Sequence, residues 1–306
     1  MNETGQPDER GGRDGFIIVA VLWILGALAT LATIYAVYVI DTAVSFSVHD
    51  ERLQADSLFT GSLELTAALL ARPDAPPNGR FNVRLGNADV VVDFRAENTR
   101  IDINVAPREL LAGLFVGLGA RAGLAEVYAD NVIAWRTPPN ILNAPGPNLR
   151  AAGVPYPARG APFPHTAELA LVPGLPEVLV DRALPFVTVY SGAPQINIMG
   201  AAPEVLAALP GMNPNLLYAI LAQREAEPQN VQRLAALLGP AQPLATGQGS
   251  KAVRVTPRIV FDDGQRMSAD IVIFILDNGT EPYRVLSWRD SSDDPTPDER
   301  PRRRTR

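Results

Sequence analysis

Residues 15–40 carry no charged side chain, and no other stretch limits the possible folds of this chain as strongly. At ~1.5 Å of rise per residue, a helix of that length crosses a hydrocarbon core about 30 Å thick. A helix buried in a soluble core rarely needs so long an unbroken apolar run. A cleaved secretory signal has an apolar region of only ~7–15 residues, closed by a small-x-small site. Here the run is longer, and Asp41-Thr42-Ala43 follows it. The stretch 16–40 reads as a retained membrane-spanning helix.

The helix is expected to continue beyond the lipid over 41–72. Leu53, Leu58, Leu63, Leu65, Leu69 and Leu70 recur at roughly helical spacing, with Asp50, Glu51, Arg52 and Glu64 between them. Pro73 and Pro76-Pro77-Asn78-Gly79 end it. One rod of about 55 residues, ~80 Å long, then has its first half in lipid and its second half behind a folded head. Three strand-like runs follow, 80–85, 88–95 and 100–104, the first two joined by a Gly86-Asn87 hairpin turn. Near the C-terminus 252–261, 267–276 and 283–288 read as an antiparallel meander turning at Asp262-Asp263-Gly264 and Asp277-Asn278-Gly279. Since lone hairpins are marginal, the simplest arrangement is one small sheet, from 79–104 and 251–290, split by a long insertion. The fold class is α+β.

The insertion, 105–245, reads as helical and internally repeated. Ile103-Asn104-Val105 before Pro107-Arg108-Glu109 echoes Ile196-Asn197-Ile198 before Pro203-Glu204, each placing Asn ahead of a Pro-started helix with Glu in its first turn. A second echo pairs Leu171-Val172-Pro173-Gly174-Leu175 with Leu209-Pro210-Gly211-Met212, each between two short helical segments. Residues 291–306 are polar, charged and proline-containing, and read as a disordered tail.

The polar leader, residues 1–15, ends in Gly15 followed by Phe16, where the apolar helix begins. This junction resembles the cleavage site of type IV prepilins and of type II secretion pseudopilins. The resemblance implies that a prepilin peptidase cuts after Gly15 and that the new N-terminal Phe16 is methylated. Most of that family carries a glutamate five residues after the cut; Ala20 stands there in this chain. The Leu-x-Pro-Gly-apolar turns are similar to helix-hairpin-helix, or SAM-like, motifs. An apolar residue at Ala20 together with such an insertion resembles the K-type minor pseudopilin, general secretion pathway protein K. A carboxylate in lipid costs roughly 2.5–3.5 kcal/mol on insertion scales and needs a partner. In the family that partner is the N-terminal amine of the subunit above, so the missing acid at Ala20 fits a subunit at the tip of a fibre. The resemblance further implies the I- and J-type minor pseudopilins and an inner-membrane secretion platform as partners. It places a single-pass anchor in the bacterial inner membrane, with the N-terminus cytoplasmic and the head periplasmic. Arg10 and Arg13 beside the anchor agree with that orientation, acidic residues counting little in the positive-inside rule.

Composition narrows the remaining readings. Cysteine is absent, so neither a disulfide framework nor thiolate chemistry is available. The net charge of −6 argues against broad phosphate-backbone binding. The alternative reading, a single-pass anchored protein that binds DNA through helix-hairpin-helix motifs, meets two obstacles. The usual last hairpin glycine is replaced by Pro176 and Asn213, and the nearby cations, Arg182 and Arg224, sit among Glu177, Asp181, Glu204 and Glu225. No catalytic residue is assigned. The two histidines are His49 and His165, no nucleophile elbow, zinc helix or phosphate loop is present, and Asp102, Glu168 and Asp181 form no sequence motif. Calcium occurs in pseudopilin heads, and Asp262-Asp263-Gly264 and Asp277-Asn278-Gly279-Thr280-Glu281 are oxygen-rich turns, yet no metal ligand is assigned. Within the anchor, Trp23 and Gly26 are candidates for helix packing.

Overall fold

The structure is a computed structural model that describes residues 11–72, 75–138, 158–226, 230–276 and 281–291, with backbone alone at 11–17, 40–52 and 291. The chain divides into two units, Met1–Ser57 and Leu58–Arg306.

Helix α1 (Gly11–Leu70) begins in the first unit. Its start lies upstream of Phe16, so 11–15 is helical and no helix break separates the expected leader from the rod. Nothing in Gly11-Gly12-Arg13-Asp14-Gly15 forbids helix, and the apolar run beyond extends it backward. Within it Ile18–Val39, 22 residues of mean hydropathy 2.2, contains no buried residue and is long enough to cross a membrane. The threonine hydroxyls in that span have internal partners. Thr30 Oγ1 donates to the Gly26 carbonyl at 2.8 Å, and Thr33 Oγ1 to that of Ala29 at 2.9 Å. In lipid, where no water serves, this back-bonding is what lets threonine stay.

The second unit opens with the last turns of α1. Phe59, Ser62, Leu63, Thr66 and Ala67 are buried, an i, i+3, i+4 stripe. The leucine pattern locates this stripe only partly: Leu63 is in it, whereas Leu65 is exposed. Ser62 and Thr66 enter the core because each hydroxyl donates to the carbonyl four residues back, at 2.7 Å in both cases. Small side chains there bring the helix close to the sheet, and Phe59 meets Trp288 edge to face with centroids 5.9 Å apart.

That sheet has five antiparallel strands in the order β1-β2-β7-β8-β9. β1 (Asn78–Leu85) and β2 (Ala88–Ala96) form the hairpin; β7 (Ala252–Phe261), β8 (Arg266–Ile275) and β9 (Tyr283–Ser291) form the meander. β2 pairs with β7, Val90 opposite Ile259 and Phe94 opposite Val255, so one continuous sheet is interrupted by 97–251. β9 keeps Ser291, which the tail reading had claimed; the rest of that tail, like the leader at 1–10, lies outside the described residues.

The third strand-like run does not join this sheet. After a 3-10 turn at Glu97–Thr99 the chain forms a two-residue strand, β3 (Ile101–Asp102), in the insertion. α2 (Arg108–Gly117), α3 (Ala122–Arg136), a 3-10 segment at Thr166–Leu171, α4 (Glu177–Ala183) and β4 (Val187–Thr188) follow. Next come β5 (Ile196–Asn197), α5 (Pro203–Ala207), α6 (Pro214–Ala226), α7 (Val231–Leu237) and β6 (Ala245–Thr246). β3 pairs in parallel with β4, and β5 with β6. The insertion has its own apolar core, with Leu110, Leu114, Phe115, Ile198, Leu206 and Ile220 among its fully buried side chains. Each such side chain contributes ~1.5–3 kcal/mol by leaving water.

Candidate functional site: the anchor and the duplicated head insertion

The insertion repeats, in a register two residues from the one its sequence suggests. Ile101-Asp102-Ile103, not Ile103-Asn104-Val105, corresponds to Ile196-Asn197-Ile198. In the first copy Asp102 lies opposite Thr188, in the second Asn197 lies opposite Thr246. Asp102 Oδ1 accepts the amide of Asn104 at 2.9 Å, and Asn197 Oδ1 that of Met199 at 3.0 Å, both two residues on. The amide of Ile103 donates to Thr188 O, and that of Ile198 to Thr246 O, each at 3.0 Å. The threonine hydroxyls each close an identical turn, accepting from Tyr190 and Gln248. Asn104 does other work, exchanging two hydrogen bonds with the backbone of Phe163.

An arginine completes each copy. Arg136, last in α3, donates to the carbonyls of Ile103 and Ala106; Arg224, in the last turn of α6, donates to those of Ile198 and Ala201. A planar guanidinium can satisfy two convergent carbonyls at once, which an ammonium does poorly. Arg224 was legible only as a cation beside a hairpin. Its match to Arg136 is obscured because the arginines stand at different distances from Pro107 and Pro203.

The second echo is not part of this duplication. Gly174 follows the arginine-ending helix of its copy, whereas Gly211 precedes the one in its own. Both glycines occupy the left-handed region, φ +80° and +77°, where a turn demands them. The amides of Leu175 and Met212 donate back within those turns, to Val172 O and Leu209 O. With Pro176 next in one copy, and Asn213 Oδ1 capping the amide of Leu216 in the other, the hairpins are built to turn the chain. The copies dock through α2 and α5. At Gly113 a Cβ would lie 2.1 Å from the Ala208 carbonyl oxygen, so only glycine permits that approach.

Where the insertion meets the sheet, a buried ionic junction holds entry and exit together. Glu97, with no exposed surface, accepts at Oε1 from Arg100 Nη2 at 2.6 Å and from Arg254 Nε at 2.8 Å, and at Oε2 from the Thr188 hydroxyl. Arg254 continues to Asp270, which also takes Arg289 at 2.8 Å. Burial would raise the Glu97 pKa, but the charges of Arg100 and Arg254 outweigh it and hold the carboxyl below the usual range. Burial pushes Arg100 down to about 10. Beside this junction Asn98 braces the exit segment, donating to Gln248 O at 2.9 Å and accepting from the Ser250 amide at 3.1 Å. The links from Glu97 to Thr188 and Arg254 were not visible from local sequence, because those partners lie 91 and 157 residues away, whereas Arg100 is three residues on.

The remaining sequence candidates fall as follows. Gly15 and Phe16 are helical in α1, their side chains undescribed. Ala20 is half-buried between exposed neighbours, and Leu22, Trp23, Gly26, Ala27 and Thr30 line a shallow groove on the same span. The acids Asp102, Glu168 and Asp181 do not converge. Asp102 accepts from Gly192 N and Ser191 Oγ, Glu168 pairs with Trp135 Nε1 and Arg159, and Asp181 is exposed. His165 is exposed; His49 lies where side chains are undescribed. At the first oxygen-rich turn both Asp262 oxygens face Arg84 at 2.7 Å, and Asp263 Oδ1 accepts the Gln265 amide. The oxygens of Asp262 and Oδ1 of Asp263 thus have protein partners; 277–280 of the second turn lie outside the described residues. Among the described residues no group of three potential metal ligands occurs.

Comparison with known proteins follows the same architecture. Residues 79–192 match the family described as Type II secretion system (T2SS), protein K. In fold the chain is similar to a chain of the GspK-GspI-GspJ complex from the enterotoxigenic Escherichia coli type 2 secretion system, with 16% identity and a TM-score of 0.61. The likeness covers 80% of this chain and 98% of that one. A search of curated proteins finds no match. The family match thus spans the hairpin and the first copy, and the structural likeness shows a shared fold over most of the chain.

Proposed function

We propose that this chain, which matches protein K of type II secretion through residues 79–192, is a minor pseudopilin placed at the tip of a pseudopilus, where it nucleates and caps assembly and supports protein export. The observation that carries this is the conjunction of that match with a sheet split by a two-copy helical insertion. An apolar span, Ile18–Val39, precedes both.

In this reading a prepilin peptidase cuts between Gly15 and Phe16, and the new amine of Phe16 is methylated. The rod then stays in the inner membrane, N-terminus cytoplasmic and head periplasmic, until the secretion platform extracts it. Ala20 offers no carboxylate to the amine of a subunit above, so nothing is lost when none is there. The I- and J-type minor pseudopilins are the expected neighbours, since the chain resembles a member of a GspK-GspI-GspJ complex. No chemistry is assigned to the chain. It acts through helix packing in the anchor and through surfaces of the head.

Mass spectrometry of the protein purified from its native membrane tests the processing. The expected N-terminus is a methylated Phe16; a chain retaining Met1, or cut elsewhere, contradicts it. Co-purification with I- and J-type pseudopilins tests assembly separately.

A further inference from the structure

A cavity of about 680 Å³ opens beside the ionic junction, walled by the sheet on one side and by the start of the second insertion copy on the other. Five of its lining residues are arginines: Arg95, Arg100, Arg224, Arg254 and Arg289. The carboxylates in contact with them are Asp270 and Glu97, which leaves three positive charges uncompensated among the described residues. The excess sits on identifiable groups. Arg224 bonds only to the neutral carbonyls of Ile198 and Ala201. Arg95 makes no hydrogen bond or ion pair among the described residues, and it stands directly opposite Arg254 on the neighbouring strand. Like charges so placed oppose pairing.

The buried edge of the cavity is also incompletely bonded. Arg100 is 8% exposed, and its Nε has no hydrogen-bond partner. Pro185, Phe186, Ala202 and Val205 add apolar wall, which weakens screening and strengthens the field of the guanidiniums. Partial desolvation and then the charge of Arg254 lower the pKa of Arg95, and the opposing pull of Glu97 and Asp270 does not offset them. Guanidinium forks bind carboxylate and phosphate oxygens in pairs.

We propose that this cavity is a binding site for a small multiply charged oxyanion, whose charge completes the arginine cluster and ties the sheet to the second copy of the insertion. The oxyanion chemistry has two sources, a free anion or the acidic side chains of a protein partner. This inference does not depend on the placement of the chain in a pseudopilus.

The test uses the full chain in detergent, titrated calorimetrically with citrate and, separately, with a hexaglutamate peptide, each against sodium chloride of equal ionic strength. The expected result is saturable binding of at least one probe, weakened tenfold or more in Arg95→Gln. Tighter citrate binding identifies a free anion, tighter peptide binding a protein carboxylate. Without probe, the thermal midpoint of Arg95→Gln should equal or exceed that of the parent, because a like-charge contact is removed. Arg289→Gln supplies a second variant should the first fold poorly. No binding beyond the salt control, or binding that both variants leave unchanged, overturns the proposal.

Discussion

Arg254 Nε lies 2.8 Å from Glu97 Oε1, joining the strand that follows the insertion to the turn that precedes it across 157 residues of sequence. The bond is buried from both sides, with side-chain exposures of 9% and 0%. It therefore acts as a clasp: the insertion cannot move off the sheet without exposing or separating the pair.

Glu97→Gln should open that clasp. Removing one partner of a buried ion pair typically costs about 3–5 kcal/mol, because Arg100 and Arg254 would keep their burial without the charge that justifies it. The pH dependence has a defined sign. The folded pKa of Glu97 lies below its unfolded value of about 4.3, so its stabilisation is fully present above that pH and is lost as pH falls through the depressed folded value. Denaturation midpoints between pH 3 and 6 should fall more steeply with acid in the parent chain than in the variant.

The two arginine caps should fail locally and independently. Arg136→Lys removes the fork that serves Ile103 O and Ala106 O, and Arg224→Lys the Nη1 group that serves Ile198 O and Ala201 O. Each loss is expected to cost roughly 1–3 kcal/mol through unsatisfied carbonyls. Hydrogen exchange should quicken at the amides of Val105 and Ala106 in the first variant, and at those of Gly200 and Ala201 in the second.

Two glycines of α2 should respond oppositely to alanine. At Gly113 the new Cβ meets the Ala208 carbonyl at 2.1 Å, so α2 and α5 must part, with an overpacking cost of about 1–3 kcal/mol. At Gly117 nothing lies within 4 Å, and the helix gains up to ~1 kcal/mol from the better helix former. Thermal melts of the two variants side by side check the sign.

Ala20→Glu tests the anchor. If the chain sits at the tip as proposed, the added carboxylate has no amine to meet and should cost up to ~2.5–3.5 kcal/mol of insertion, the value for the middle of a span. Membrane-inserted protein and export should both decline. Unchanged or improved export would mean that a cation does reach this position.

What the sequence reveals follows from how local each signal is. Gly86-Asn87 and the alternating runs around it locate β1 and β2 because turn chemistry and period-two burial act between near neighbours. The run 100–104 has the same alternation yet yields a two-residue parallel strand, since its partner at Val187 lies far along the chain. Leucines marked the inner face of α1 imperfectly, because Ser62 and Thr66 satisfy themselves within the helix and so can be buried. The duplication was legible as a repeat but misregistered, the Asx turns at Asp102 and Asn197 being visible only once the threonines opposite them are known. The arginine cavity had no local signal at all: its five cations come from β2, the turn beyond Glu97, α6, β7 and β9.

Electron cryomicroscopy of assembled pseudopili, with a label fused to the head of this chain, addresses the tip assignment most directly. The account predicts one label per fibre, at its distal end, with no rod stacked above that of this chain. Labels repeated along the shaft, each with another subunit's rod seated over its Phe16 end, would contradict it.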